Sequence, residues 1–335
     1  MPFIADILKR RSLSIVGLEK NTGKTVCLNY ILGRLNELGA SVAVTSIGVD
    51  GEQTDSVFGT AKPEITLYRG TRFITSERHY NQRQLISVIT DVDERRTSMG
   101  RLVTAEVLQE GKVILSGAAT TELLRRQIEH LHEADGRLVI VDGALSRLSL
   151  ASPTVTDAMI LATGAAVSPN LQQLVSKTRF QYSLINLEAV ERALREQLGP
   201  LPNGLWAVDS EGEVHDLEIP SGFLLSRRGK EVYRYGSRFF AAGAVSDYML
   251  KHFAAQKAIG ETELIIRDFT KLFITQEALA EYRRRGGRLR VLLRTPLIAI
   301  TLNPTSPQGY HLNSHEACSA LEEALQIPVY DVRKL

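Results

Sequence analysis

One segment near the start of the chain restricts its possible folds more than any other. An apolar run, Leu13–Val16, is followed by a short loop, the triplet Gly23-Lys24-Thr25, and a helical pattern over Val26–Leu38. A strand, a loop and a helix in this order form a phosphate-binding unit, because N–H groups of the loop and first helical turn converge and the helix dipole favours negative charge. The segment therefore predicts a strand–loop–helix unit that holds phosphate groups.

The residue types in this loop predict separate roles. Lys24 would act catalytically by neutralising the β- and γ-phosphates of a nucleotide, and the Thr25 hydroxyl would bind Mg²⁺. Lys20 either reaches a phosphate or is a solvated lysine. The usual pattern has glycine where this chain has Leu18, so we expect a loop that is one residue longer or differently bent. The other predicted phosphate contacts are Gly17, Asn21, Thr22, Gly23 and Val26.

The composition is that of an ordinary globular protein. At 335 residues the chain is long enough for two domains. The net charge of +2 indicates no dedicated nucleic-acid or membrane surface, and the basic runs Lys9–Arg11 and Arg283–Arg285 are interpreted as solvated helix faces. Cys27 and Cys318 are too far apart in sequence to indicate a disulfide framework or a zinc site. Without a signal-peptide pattern or an apolar run of about 18 residues, a cytoplasmic protein is expected.

Continuously apolar segments that alternate with helical patterns predict an α/β fold with a parallel, doubly wound sheet covered on both faces. Residues 56–100 have a less regular pattern, which we interpret as an insertion of short strands and loops. The predicted strands are 40–47, 112–115, 138–142 and 158–163, and the predicted helix among them is 121–134.

The clearest linker is the Gly- and Pro-rich stretch 199–204. It predicts a nucleotide-binding domain over 1–200 and a second, smaller α/β domain over 205–335 with an accessory or partner-binding role. An amphipathic helix is expected just before it, at 187–198. Beyond it we expect a hairpin at 205–219, helices at 244–255, 276–285 and 314–325, and strands at 263–266, 289–302 and 328–330.

Acidic residues after two of these strands are candidate metal ligands. Asp142 ends an apolar strand of Walker B character, where a carboxylate binds Mg²⁺ directly or through water; the alternative is an aspartate that opens a turn with Gly143. Asp50 follows the strand after the loop helix and is a candidate second metal carboxylate or the catalytic group that orients the attacking water. Glu52 and Asp55 compete for that role, and a turn-forming aspartate is the alternative for Asp50 and Asp55.

The identity of the nucleotide is less determined by the sequence. GTPases commonly recognise guanine with an Asn-Lys-x-Asp segment, and nothing in this sequence matches it. Residues 270–273, Thr-Lys-Leu-Phe, lack the required aspartate. ATP is therefore the expected nucleotide and GTP the alternative. The small-residue segment 116–120 either lines the same crevice or is a simple turn from strand to helix.

The loop at 17–25, together with the separate Asp50 and Asp142, is similar to one class of P-loop NTPases. That class contains the signal recognition GTPases, the Min-type ATPases and dethiobiotin synthetase, and the resemblance covers about residues 1–200. It implies a Mg²⁺-dependent nucleotide site, and a homodimer is common in the class.

A narrower resemblance is to the P-loop subunit of the lysine 5,6-aminomutase reactivating system. It implies a chaperone-like, ATP-dependent factor that works with a second subunit to exchange damaged cobalamin in an adenosylcobalamin-dependent aminomutase. Since no cobalamin-ligand motif is evident, the chain would act on that partner without binding the cofactor. The resemblance is carried by 17–25, 45–52, 141–145, 152–157 and 303–304.

Three functional hypotheses follow from these patterns. The first is a nucleotide-driven switch in which closure around the γ-phosphate orders the Asp50 loop and changes the fit to a partner protein. The second is a small-molecule kinase or a carboxylate-activating synthetase resembling dethiobiotin synthetase. The third is a nucleotide-binding structural subunit with negligible turnover.

Overall fold

The computed structural model describes residues 2–47, 64–143, 151–227, 229–255 and 262–335. The chain forms two compact units, one of Met1–Arg179 with Thr295–Leu335 and the other of Phe180–Arg294. This division differs from the one predicted at 199–204. The predicted linker lies inside the second unit, and the last part of the chain belongs to the first unit.

The described residues form strands and helices in alternation along most of the chain. The strands are β1 Ser12–Gly17, β2 Val42–Ser46, β3 Ile65–Leu67, β4 Arg72–Ser76, β5 Gln84–Thr97, β6 Gly100–Val113, β7 Leu138–Asp142, β8 Ala158–Gly164, β9 Leu205–Val208, β10 Val214–Ile219, β11 Arg238–Ala241, β12 Val245–Ser246, β13 Glu263–Ile266, β14 Leu272–Phe273, β15 Arg288–Val291, β16 Leu297–Asn303 and β17 Val329–Tyr330. The α-helices are α1 Ile4–Ile7, α2 Lys24–Glu37, α3 Glu77–Asn81, α4 Thr121–Asp135, α5 Leu171–Ile185, α6 Arg192–Leu198, α7 Asp247–Ala254, α8 Gln276–Arg284 and α9 Ser314–Leu325.

The first unit is built on one large sheet with the order β17-β16-β8-β1-β7-β2-β4-β6-β3, and β5 pairs with β6. All pairings from β17 to β4 are parallel. The predicted α/β class and largely parallel sheet are therefore confirmed. The first unit is discontinuous in sequence because β16, which follows the second unit along the chain, pairs with β8. This parallel ladder runs from Ile300 opposite Leu161 to Asn303 opposite Gly164.

The core of the first unit lies between this sheet and its covering helices. The central strand β1 is buried over nearly its whole length. Leu28, Ile31 and Leu35 of α2 recur at helical spacing and are buried against the sheet. Among the described residues, no helix is both long enough and apolar enough to cross a membrane.

The interpretation of 56–100 as short strands and loops is wrong for its described second half. β5 and β6 are each 14 residues long and form an antiparallel hairpin, and the strand predicted at 112–115 overlaps only the last two residues of β6. β5 is an edge strand whose residues are mostly exposed, so it lacks the alternation of a half-buried strand. Several register shifts further obscure the pattern.

The second unit has its own sheet in the order β10-β9-β11-β13-β15. The predicted hairpin at 205–219 is confirmed as β9 and β10. The helix predicted over 187–198 begins only at Arg192, because the preceding segment exchanges backbone hydrogen bonds with the edge of β15. Val190 donates to Val291 O and Val291 donates to Glu188 O, both at 2.9 Å. No element was predicted over α5.

Gly117 allows the segment before α4 to run against the end of β2. A Cβ atom there would overlap the Ser46 carbonyl oxygen, and Ile47 and Ala118 form a parallel bridge beside it. Because the obstacle is backbone, we expect Gly117→Ala to lower the free energy of unfolding by at least about 2 kcal/mol in urea titrations. Gly243→Ala is the control, since that position has open space within 4 Å. Equal losses in the two variants would contradict the close approach.

Candidate functional site

The candidate site lies at the carboxyl edge of the parallel strands in the first unit. Ile15 near the end of β1 is opposite Asp142, and Ser46 at the end of β2 is opposite the same residue. On the other side of β1, Gly17 is opposite Ala162 of β8. Parallel strands end at one edge, so the predicted loop and Asp142 meet at the crevice where such sheets bind ligands.

The path of the loop explains why its glycine is displaced from the usual position. The Leu18 N–H donates to Ala162 O at 3.0 Å and continues the parallel ladder past β1. At Gly17 a Cβ atom would overlap the Thr22 hydroxyl and lie 2.9 Å from Lys24 Nζ. The loop therefore folds back over Gly17, and the close approach requires a residue without a side chain.

Backbone conformation in the rest of the loop sets the start of α2. Asn21 and Gly23 both have left-handed backbone, with φ of 62° and 89°. The Thr22 side chain is buried and donates to Glu19 O at 3.0 Å. Thr25 is the second residue of α2 and is half-buried, as are Val26 and Lys20.

Lys24 is the charged centre of this loop. Its ammonium donates a long hydrogen bond of 3.5 Å to Glu19 O. Removal from water lowers the pKa of Lys24, and the negative charges of Asp142 and Glu19 act in the opposite direction. The structure thus brings Lys24 and Asp142 into electrostatic interaction, although the two residues are far apart in sequence.

The end of β7 is fixed by hydrogen bonds on both sides. The Ser46 hydroxyl donates to Asp142 O at 3.2 Å, and the Gly143 N–H donates to Ile15 O at 3.1 Å. A Cβ at Gly143 would overlap Ile15 O, so β7 and β1 stay in close contact just past Asp142.

The second predicted carboxylate lies outside the described residues. Asp50, with its competitors Glu52 and Asp55, falls in the undescribed range 48–63, and its metal and catalytic roles stay predictions. The segment 116–120 does lie beside the end of β2, through the bridge between Ala118 and Ile47, and Thr120 also caps α4. Both interpretations of that segment are therefore compatible with its position.

Asn303 at the end of β16 holds the loop from outside, a role that the sequence analysis did not predict. Its side-chain amide donates to Asn21 O at 2.9 Å, and its Cβ leaves no room for a side chain on Gly23. The oxygen of the same side-chain amide, Asn303 Oδ1, accepts a hydrogen bond from the Thr305 N–H at 3.3 Å. The sequence feature that could have indicated this role is the Asn303-Pro304 pair at the end of an apolar strand.

Comparisons with known proteins add little to this geometry. No protein-family model matches the chain, and no curated protein matches it. Among solved structures, the structure of pNOB8 ParA bound to nonspecific DNA is similar at 11% identity with a TM-score of 0.26. The match covers 62% of this chain and 65%, less than two thirds, of the ParA chain. At this TM-score the likeness has no bearing on function.

Asn303→Ala tests whether β16 supports the loop. Loss of one hydrogen bond to Asn21 O would free a left-handed residue, so we expect affinity for the predicted nucleotide, Mg-ATP, to fall roughly two- to tenfold. Isothermal titration calorimetry measures the affinity. Asn170→Ala is the control, because the Asn170 side chain accepts the Gln173 N–H at the start of α5. An unchanged affinity in Asn303→Ala would show that the Asn303 side chain does not support the loop.

Proposed function

We propose that the first unit binds a Mg²⁺–nucleoside triphosphate, ATP in preference to GTP, in the loop between β1 and α2, and hydrolyses it. The observation that carries this proposal is the position of the Lys24 ammonium. It is partly desolvated, lies over Gly17, and is within electrostatic range of Asp142 on the adjacent strand. A partly buried cation in a loop of this kind favours an anionic ligand.

The residues present fit this ligand. Thr22 and Lys24 pack closely against Gly17, so the loop holds the Lys24 ammonium beside the end of β1. The described residues contain no cluster of three or more His, Cys, Asp or Glu side chains that could bind a metal ion on their own. Mg²⁺ keeps several waters and uses one or two protein oxygens with the substrate phosphates, so Thr25 and Asp142 would be a sufficient pair of protein ligands.

In this proposal each loop residue has a separate task. Lys24 holds the β- and γ-phosphates, and backbone N–H groups of Gly17 and residues 20–26 orient them. Thr25 and Asp142 hold Mg²⁺, which supplies neutralisation of the charge that develops on the phosphoryl oxygens. Asp50 binds the metal or orients the attacking water.

For the biological output we propose a partner-coupled switch. The resemblance at 17–25 and 141–145 supports a chaperone-like role in reactivating an adenosylcobalamin-dependent aminomutase together with a second subunit. The second unit would then receive or transmit the conformational change that nucleotide binding and hydrolysis cause. A kinase or synthetase that acts on a small molecule is the alternative, and stimulation by a protein partner distinguishes the two.

Lys24→Met tests the loop directly. We expect binding of Mg-ATP to weaken at least about tenfold, because a charge-assisted contact to phosphate is lost. The free variant should melt no lower than the wild type. Burial lowers the pKa of Lys24, so its charge costs stability in full below that pKa, and the cost disappears as pH rises from the lowered pKa to the ordinary lysine value.

Differential scanning fluorimetry at neutral pH, with and without Mg-ATP, measures both quantities. Lys9→Met, at an exposed position, is the control and should retain the nucleotide-induced rise in melting temperature. A wild-type nucleotide shift in Lys24→Met would contradict the proposed site.

Phosphate release from Mg-ATP and Mg-GTP tests the switch. We expect substrate-inactivated adenosylcobalamin-dependent aminomutase to stimulate release from ATP more than from GTP. Asp50→Ala should retain nucleotide binding and lose stimulated hydrolysis, since it removes a group that orients water or metal. If the mutase leaves the rate unchanged, the switch is wrong and the small-molecule enzyme is favoured. Unchanged turnover in Asp50→Ala would exclude Asp50 from the mechanism.

A further inference from the structure

The second unit contains a polar cleft beside the edge strand of its own sheet. The cleft has a volume of about 540 Å³ and lies between the end of α5, the segment 186–188 and β15. This volume is in the range of small-molecule sites, roughly 300–1,000 Å³. Its charged lining residues are Arg283, Arg288, Arg290, Glu188 and Glu263.

One of the two glutamates is already neutralised. Glu263 is nearly buried and forms ion pairs with Arg238 at 2.7 Å and with Arg290 at 3.5 Å. Arg290 also donates to Ala189 O at 2.8 Å, while its buried Nε has no hydrogen-bond partner among the described residues. Arg290 also pairs with Glu191 at 3.4 Å, so its charge is compensated, and unbalanced charge in the cleft comes from its other arginines.

Arg288 and Arg283 supply the unbalanced charge. Both side chains are exposed, and in the described ranges neither guanidinium forms an ion pair. The backbone of Arg288 is held firmly, because its N–H donates to Thr262 O at 2.9 Å and its carbonyl accepts the buried Tyr282 hydroxyl at 3.2 Å. A side chain on Gly287 would overlap the Tyr282 ring, so this arrangement requires glycine. A backbone that is already held in place reduces the conformational entropy lost when the Arg288 side chain binds a ligand.

The outer edge of β15 supplies a backbone donor in addition to these guanidinium groups. The Arg288 N–H faces the neighbouring strand β13, whereas the Val291 N–H faces outward and donates to Glu188 O. N–H groups alternate along a strand, so that of Leu289 faces outward like that of Val291. Leu289 lines the cleft, and its N–H is available to an anion there.

We propose that this cleft binds a small ligand through a phosphate or carboxylate group, with Arg283, Arg288 and the Leu289 N–H as donors. Planar guanidinium groups bind both kinds of anion in a bidentate manner. A compact ligand is favoured over a long polyanion, because the exposed Glu188 in the cleft lining would repel a continuous row of phosphates. This site lies wholly in the second unit and is separate from the loop at Gly17.

The test is calorimetric titration of the full chain with inorganic phosphate and with citrate at low ionic strength. Lys24→Met serves as the background, so that phosphate bound by the loop does not contribute. We expect saturable binding that weakens at least about tenfold in Arg288→Gln and in Arg283→Gln. Arg284→Gln, exposed on α8 outside the cleft lining, is the matched control and should bind as the background does. Melting temperatures check that each variant is folded.

Phosphate binding alone would identify a phosphate-bearing ligand, and citrate binding alone a carboxylate. Absence of binding to both anions would overturn the proposal, as would binding that is unchanged in Arg288→Gln and Arg283→Gln. Binding of a DNA duplex through these arginines, without binding of either small anion, would show a polyanion surface and equally overturn it.

Discussion

The close approach of the loop to Gly17 is the constraint on which the site depends. It is possible only because β1 lies between β7 and β8 in parallel register and ends beside both. Two hydrogen bonds at this edge, Leu18 N–H to Ala162 O and Gly143 N–H to Ile15 O, hold the three strand ends together. The loop can then fold over Gly17 and carry Lys24 into a partly desolvated position beside Asp142.

The last part of the chain supports the same site. β16 extends the parallel sheet past β8, and Asn303 at its end reaches back to the carbonyl of Asn21. The first unit therefore depends on residues that follow the whole second unit in sequence. The second unit is an insertion that begins within α5 and ends before β16, with its own sheet and a cationic cleft at the edge of that sheet.

The sequence predicted those parts of the fold whose signals are local and buried. β1, β7 and β8 are buried along most of their length, so their apolar runs are continuous. β5 was missed because both of its faces are largely exposed. The segment before Arg192 was assigned to a helix because its apolar residues suit either structure, and its pairing with β15 is a long-range contact. The support from Asn303 was missed for the same reason, since only the folded sheet brings it to the loop.

The most direct test of the account is a crystal structure of the full chain with Mg²⁺ and a non-hydrolysable ATP analogue. The account predicts β- and γ-phosphates in contact with Lys24 Nζ and the backbone N–H groups of the loop, with Thr25 and Asp142 as the residues that would hold Mg²⁺. Nucleotide bound elsewhere, or a loop that leaves Lys24 without phosphate contact, would contradict it.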